Sequence, residues 1–228
     1  MKRDWTVLYR PVDIAIGIVV LGSLWGLSEV IVEGVIRAAG LPYRAAVLTG
    51  IGMALMAAGV AAYKRYWLPA AGAGVAVAVK LLVVPILHLP ASCKANSSLA
   101  VTLEALALAA AVAVVGHGMR RTQGQVAAGV MAGLGSAAVF WAAGMRLAPC
   151  NYLLSFNRPG GLLAFLAVEG VPWALASGLL VPVGYWLGEQ VRQRMPEWKR
   201  RPSLYYLGSG AVAACCWVAS AFAIAAGL

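Results

Sequence analysis

The chain has 228 residues, of which 62% are hydrophobic and only 11% are charged, with a formal net charge of +10. Soluble domains carry about a quarter charged residues, so this composition excludes an ordinary soluble protein and indicates a multi-pass membrane protein. Because the basic residues lie mostly between apolar blocks, we attribute them to membrane anchoring, and we expect a lipid bilayer and no nucleic acid as partner.

Seven apolar segments follow one another along the chain, each close to the length of about 20 residues that crosses a bilayer as a helix. In hydrocarbon, a helix satisfies its backbone polar groups within one segment. The sequence therefore predicts a single all-α integral membrane domain over residues 1–228, a six-helix core plus one. Pro172 and Pro182 should kink or tilt the sixth helix. The predicted helices are 13–38, 43–62, 67–88, 96–117, 125–147, 161–188 and 204–227.

The basic residues between the segments predict the orientation. One set of helix ends holds twelve: Lys2, Arg3, Arg10, Lys64, Arg65, Arg120, Arg121, Arg192, Arg194, Lys199, Arg200 and Arg201. The opposite set holds five: Arg37, Arg44, Lys94, Arg146 and Arg158. By the positive-inside rule we expect a cytoplasmic N-terminus and an external C-terminus, in the plasma membrane of a bacterium or an archaeon.

Ionisable residues recur at one depth in four of the predicted helices. Each lies seven or eight residues from the outer end, about 10–12 Å below the surface at a rise of about 1.5 Å per residue. An ionisable group in hydrocarbon costs about 2.5–3.5 kcal/mol on insertion scales, so such residues normally face the bundle interior. We infer an outward-facing polar cavity lined by helices 1, 3, 4 and 6. The four residues are Glu29, Lys80, Glu104 and Glu169.

Helical spacing places tryptophans beside these carboxylates. Trp25, Glu29 and Glu33 follow one another at four-residue intervals and share a face of helix 1, and Trp173 follows Glu169 in the same way. A carboxylate beside an indole suits an organic cation. The sequence therefore predicts transport or binding of a small cationic or amine-bearing solute. The candidate substrate-binding residues are Trp25, Glu29, Glu33, Lys80, Glu104, Glu169 and Trp173.

A purely structural role for the polar layer is the open alternative. Glu33 can pair with Arg37 one turn away on the same helix. Lys80 can neutralise one of the other three glutamates across helices. The four acids still outnumber these two bases, so two negative charges remain for a bound cation, for protons or for water. Arg146 or Arg158, in the loop between helices 5 and 6, could reach in and weaken that argument.

Cysteines and histidines offer two further candidates. Cys93 and Cys150 lie on predicted outer loops, where an oxidising environment allows a disulfide; two free cysteines are the alternative. His88 and His117 end helices on opposite faces, so they cannot hold one haem together. His88 is a candidate metal ligand with a glutamate, although such a residue is more often an ordinary interfacial histidine. We expect no other metal site and no cofactor.

Catalytic signatures are missing from the sequence. It contains no Walker-type phosphate loop and no Rossmann-type glycine fingerprint, so we expect neither an intrinsic ATPase nor an enzyme, and active transport would need an ion gradient or partner subunits. Two other functions stay open. One is a membrane anchor or quinone-facing subunit of a larger redox complex. The other is an intramembrane enzyme acting on lipid headgroups.

The chain's size, its helix count and the shared depth of the ionisable layer resemble the substrate-binding S components of energy-coupling factor transporters. The resemblance covers most of residues 13–188, and the seventh helix is additional to the six of that family. It implies a micronutrient bound near the outer face and a coupling membrane protein as partner. In S components, small residues on helix 1 contact that protein; here helix 1 offers Gly17, Gly22, Ser23 and Gly26.

Overall fold

The structure, a computed structural model, describes residues 10–227. Within that range it confirms an all-α polytopic bundle with seven helices long and apolar enough to cross a membrane. Lys2 and Arg3, which entered the count for orientation, lie outside the described residues. In chain order the helices are α1 (Pro11–Ala38), α2 (Arg44–Tyr63), α3 (Leu68–Leu87), α4 (Ala91–Arg120), α5 (Thr122–Leu147), α6 (Gly161–Trp198) and α7 (Pro202–Ala225).

Prolines and left-handed residues mark several helix boundaries. Pro11 and Pro202 occupy the first turns of α1 and α7, where a missing N–H costs no helical hydrogen bond. α2 stops at Lys64 and α3 stops at His88, whose φ angles are +56° and +52°. A residue in the left-handed region cannot continue a right-handed helix, so the chain turns at these points.

α3 is interrupted immediately after Lys80. The helix is regular over Leu68–Lys80 and resumes over Val83–Leu87. Pro85 has no N–H to donate to the carbonyl of Leu81, four residues earlier, so that carbonyl accepts a tighter hydrogen bond of 3.0 Å from the N–H of Val84 instead. The interruption leaves Lys80 as the last residue of the regular segment.

α6 departs from a regular α-helix just before its first proline. A π-helical turn over Leu166–Gly170 precedes the regular segment Val171–Trp198. Pro172 provides no N–H to the preceding turn, and a π turn is one way in which a helix accommodates such a gap. The helix then continues through Pro182 to Trp198, so the predicted end at residue 188 was wrong. Hydropathy falls after that residue, but the helix extends beyond its apolar part.

Close helix packing depends on glycines in α6. α2 and α6 share the most extensive helix–helix contact among the described residues. Gly184 and Gly188 lie directly on the α2 backbone at Ala54 and Ala58, where any Cβ would overlap main-chain atoms. Small residues that let two backbones approach are typical of packing between membrane helices.

Small residues four positions apart occur in both α5 and α7, and the two pairs differ in their surroundings. Gly129 and Gly133 of α5 lie against the backbone of α6, so they allow the two helices to pack closely. Gly210 and Ala214 of α7 are exposed, and nothing lies within 4 Å of a Cβ built on Gly210, so this spacing serves no close packing there. α7 contacts α1 through its other face.

The small residues of α1 also lie inside the bundle. Gly17, Gly22, Ser23 and Gly26 are all buried. A Cβ on Gly22 or Gly26 would meet Val75 or Val79 of α3. These positions therefore serve packing between α1 and its neighbours, and they offer no exposed surface of the kind the resemblance implies for a coupling protein.

Because successive helices run in opposite directions, the connections sort onto two ends. The loops 39–43, 88–90 and 148–160 lie at one end, which we call the cavity end. The other, the basic end, carries Arg10, Lys64, Arg65, Arg120, Arg121, Arg192, Arg194, Lys199, Arg200 and Arg201. Which side of the membrane each end faces stays a prediction.

Candidate functional site

A cavity of about 700 Å³ lies at the cavity end of the bundle. Its volume falls within the range of about 300–1,000 Å³ that is typical of small-molecule sites. We call it the carboxylate cavity. Its ionisable lining side chains, apart from tyrosines, are Glu29, Glu33, Arg37, Arg44, Lys80, Glu104 and Glu169.

Six of the seven predicted substrate-binding residues line this cavity, all except Trp25. The predicted helices α1, α3, α4 and α6 contribute, and α2 and α5 complete the wall. Trp25 is fully buried and packs on α2, where its indole occupies the space beside Gly52. The cavity does not extend to this turn of α1, because Gly52 lets α2 approach and the indole of Trp25 fills the space between the two helices.

Glu29 and Lys80 form a buried ion pair. Lys80 Nζ lies 2.6 Å from Glu29 Oε2, and the side chains are only 3% and 5% exposed. The pair links α3 to α1 in the cavity wall. The structural interpretation therefore holds for these two residues, since each neutralises the other and the charge of neither is left over for a solute.

Within the described residues, only one of the two carboxylate oxygens of Glu104 accepts a hydrogen bond. Thr49 Oγ1 of α2 donates a hydrogen bond of 2.8 Å to Glu104 Oε1. Glu104 Oε2 is buried and has no hydrogen-bond partner among the described residues. Leaving a buried acceptor unsatisfied costs about 1–3 kcal/mol, and more when it is charged. A ligand that brings an N–H donor into the cavity would remove that cost.

Glu169 is oriented by two aromatic donors. Tyr152 Oη donates to Glu169 Oε1 at 2.6 Å, and Trp173 Nε1 donates to Glu169 Oε2 at 3.1 Å. Partial burial, followed by this hydrogen bond to Glu169, raises the pKa of the Tyr152 hydroxyl above its usual range, which keeps it a donor. An ionised carboxylate has about four acceptor positions, so Glu169 retains room for a further donor.

An aromatic wall stands beside these carboxylates. The ring of Phe140 in α5 lies 6.3 Å from that of Phe165 and 5.9 Å from that of Trp173, centroid to centroid. All three side chains line the cavity. Aromatic faces attract cations through their quadrupole, so the wall adds to the negative potential of the acids.

The ion pair that Glu33 and Arg37 could form on α1 is not made. No ion pair of Glu33 occurs among residues 10–227, and Arg37 Nη2 is directed to the backbone oxygen of Gly227 at 3.5 Å. Glu33 and Arg37 both line the cavity as separate charges. Their i, i+4 spacing allowed a pair, but it did not require one.

An arginine that sequence reasoning did not single out supplies a third base. Arg44, the first residue of α2, lines the cavity, whereas Arg146 and Arg158 do not. Four acids therefore face three bases in the lining, so the formal balance is one negative charge rather than the two expected. Nothing in the sequence distinguished Arg44 from the other loop arginines.

Two hydrogen-bond donors to the acids were also missed. Thr49 is the one hydroxyl residue between Arg44 and Tyr63 in α2, and that isolation in an apolar run was a usable signal. Tyr152 lies in a one-turn helix, Asn151–Leu154, within the loop between α5 and α6. No sequence pattern linked that tyrosine to a carboxylate in the next helix.

The cysteine and histidine candidates do not line the carboxylate cavity. Cys93 and Cys150 are free cysteines, so the predicted disulfide is not formed and its alternative is the observed state. His88 is exposed at the end of α3 and does not line the cavity. Among residues 10–227, no three His, Cys, Asp or Glu side chains come close enough to hold a metal ion. A metal role for His88 therefore has no support in its surroundings.

A second cavity, of about 930 Å³, lies at the basic end. Its acid is already paired: Glu189 bonds to Lys64 and accepts hydrogen bonds from Arg192 at 2.5 and 3.0 Å. Lys64 also donates to Tyr185 Oη at 3.1 Å. Two cations thus share the single carboxylate of Glu189, so this acid has no charge left for a cationic solute. The carboxylate cavity is smaller, but its lining includes Glu104, whose Oε2 has no hydrogen-bond donor among the described residues. It is therefore the stronger candidate site.

In comparisons with protein-family models, with curated proteins and with solved structures, no match was found.

Proposed function

We propose that this integral membrane protein binds or transports a small cationic or amine-bearing solute in the carboxylate cavity. The observation that carries the proposal is Glu104 Oε2, a buried carboxylate oxygen without a protein donor beside an open cavity. An ammonium group supplies both the missing N–H donor and the opposite charge. Charge-assisted hydrogen bonds of this kind are roughly twice as strong as neutral ones.

The rest of the cavity favours the same ligand chemistry. Glu169 is fixed in place by Tyr152 and Trp173 and retains acceptor capacity. Phe140, Phe165 and Trp173 are in the cavity lining, and a cation over an aromatic face gains about 0.5–2 kcal/mol. The lining as a whole carries one formal negative charge. A cation is therefore favoured over a neutral or anionic solute.

Orientation and energy source complete the proposal. The basic end would face the cytoplasm by the positive-inside rule, so the cavity end would admit solute from outside. The sequence contains no nucleotide-binding motif, so we propose binding and translocation without catalysis. Accumulation of solute would depend on an ion gradient or on a partner membrane subunit.

The binding claim is tested by thermal shift of the detergent-purified protein with a panel of organic cations. A ligand that binds only the folded protein raises Tm by mass action. Glu104→Gln is the informative variant, because glutamine keeps an acceptor for Thr49 and removes only the charge. Glu29→Gln is unsuitable, since it would leave Lys80 as an unpaired buried cation. Glu197→Gln, at an exposed glutamate on the basic end, is the matched control.

We expect a cation that raises the Tm of the wild type and of Glu197→Gln but not that of Glu104→Gln. Equal shifts in all three proteins, or no shift with any cation, would overturn the proposal. Co-purification with redox subunits would then favour the anchor function, and lipid turnover in vesicles would favour the intramembrane enzyme. Uptake of the labelled cation into proteoliposomes distinguishes transport from binding alone.

A further inference from the structure

The charges of the carboxylate cavity are unevenly distributed between its depth and its mouth. Glu104 is 4% exposed, whereas Arg37 and Arg44 are exposed at the helix ends that border the mouth. In the deeper part, Glu29 and Lys80 cancel, which leaves the charges of Glu104 and Glu169. The mouth carries the two positive charges of Arg37 and Arg44 and the single negative charge of Glu33. The formal balance is therefore two negative charges inside and one positive charge at the mouth.

We infer that the solute is amphoteric, with a cationic group directed to Glu104 and a carboxylate held by Arg44 at the mouth. This inference rests on the proposed function and names its substrate class. Within residues 10–227, Arg44 forms no ion pair, so its guanidinium is available. The planar fork of an arginine matches the two oxygens of a carboxylate, and a simple amine offers nothing to it.

The spacing of these groups favours charges at opposite ends of the solute. Arg44 and Thr49, the residue that holds Glu104, lie five residues apart on α2, about 7.5 Å along the axis at about 1.5 Å per residue. A net charge of +1 on the solute would also balance the single negative charge of the lining. A basic amino acid meets both conditions, with its side-chain cation inside and its α-carboxylate at the mouth.

Amines and their parent amino acids form matched probes, because each pair differs by one carboxylate. Cadaverine is compared with L-lysine, and agmatine with L-arginine, by equilibrium binding to the full-length protein in detergent. The variants are Arg44→Gln, Arg44→Lys and Glu104→Gln. Arg158→Gln is the control, since Arg158 is an exposed arginine at the same end that does not line the cavity. Arg44 is exposed, so its substitution leaves the core unchanged, and the Tm without ligand verifies this.

In the wild type we expect at least one amino acid to bind about tenfold more tightly than its amine, the size expected of one charge-assisted contact. Arg44→Gln should abolish that preference by weakening the binding of the amino acid without weakening that of the amine, whereas Arg44→Lys retains part of the preference because the positive charge remains. Glu104→Gln should weaken both members of the pair, and Arg158→Gln neither.

Two results would overturn the inference and leave the proposed function intact. One is an amine that binds as tightly as its amino acid, with Glu104 still required. The other is an Arg44→Gln protein that loses both ligands equally or neither. If neither pair binds, the inference fails. The proposed function fails with it only when the wider cation panel also shows no binding that depends on Glu104.

Discussion

Lys80 Nζ lies 2.6 Å from Glu29 Oε2 across the interface of α3 and α1, with the two side chains 3% and 5% exposed. This contact gives Glu29 a partner within the protein. Glu104, in the same polar layer, keeps one oxygen without a donor among the described residues, and this oxygen is where we propose that a cation binds.

The ion pair should be mutually dependent. Lys80→Met leaves Glu29 buried without a partner, and Glu29→Leu does the same to Lys80. Each single variant should lower the free energy of unfolding by about 3–5 kcal/mol, because an uncompensated charge remains out of water. The double variant should recover most of that loss, because no charge is then buried. Thermal unfolding of the four proteins in one detergent gives the coupling energy. Losses that simply add would contradict the pair.

The hydroxyl of Thr49 should stabilise the fold through Glu104. Thr49→Val keeps the side-chain shape but removes the only protein donor to the carboxylate among the described residues. We expect a loss of about 1–3 kcal/mol in the free energy of unfolding. Thr49→Ser retains the hydroxyl and should lose much less. A Thr49→Val protein with the wild-type Tm would show that the hydrogen bond contributes nothing.

The hydroxyl of Tyr152 should make the stability of the folded protein fall at alkaline pH. Partial burial and the hydrogen bond to Glu169 raise the pKa of its hydroxyl above the usual value of about 10. The folded protein therefore holds this proton more tightly than the unfolded chain does. The resulting stabilisation is complete below a pH of about 10 and is lost as pH rises through the raised pKa.

Tyr152→Phe removes this group and should flatten the response. The fall in Tm between pH of about 9 and about 11 should be smaller for the variant than for the wild type, because phenylalanine has no proton to lose. Tyr66→Phe, at an exposed tyrosine on the basic end, controls for the general effect of removing a tyrosine. Parallel curves for the wild type and Tyr152→Phe would refute the assignment.

Gly52 should be required by the packing of Trp25. Gly52→Ala places a methyl group on the indole, and such overpacking costs about 1–3 kcal/mol. Gly74→Ala on α3 is the control, since nothing lies within 4 Å of its added Cβ and alanine favours the helix. If Trp25 only packs, the Gly52→Ala protein should melt earlier and still bind amines with unchanged Kd. A selective loss of binding would return Trp25 to the site.

The sequence was sufficient for the helices because apolar length is a direct consequence of the bilayer. Counting residues along each helix also indicated that Glu29, Lys80, Glu104 and Glu169 lie at one level. In the structure all four line one cavity, whereas their depth in a bilayer stays a prediction.

Contacts between helices were harder to predict, because they depend on distances that the chain does not encode locally. Helical periodicity gave Trp25 the same face as Glu29, but the approach of α2 at Gly52 decided that the ring packs instead of lining the cavity. Lys80 could pair with any of three glutamates, and the packing of α3 against α1 brings it to Glu29. Tyr152 reaches Glu169 from the loop between α5 and α6, and the sequence did not indicate the path of that loop.

The most direct test of the central claim is the affinity of the tightest-binding organic amine for the wild type, Glu104→Gln and Glu197→Gln, measured by isothermal titration in one detergent. We predict a loss of about tenfold or more in Glu104→Gln alone, the cost of one charge-assisted hydrogen bond, with the ligand-free Tm of all three proteins retained. Equal affinities for the three proteins would contradict the claim that the Oε2 atom of Glu104, which has no donor among the described residues, binds the solute.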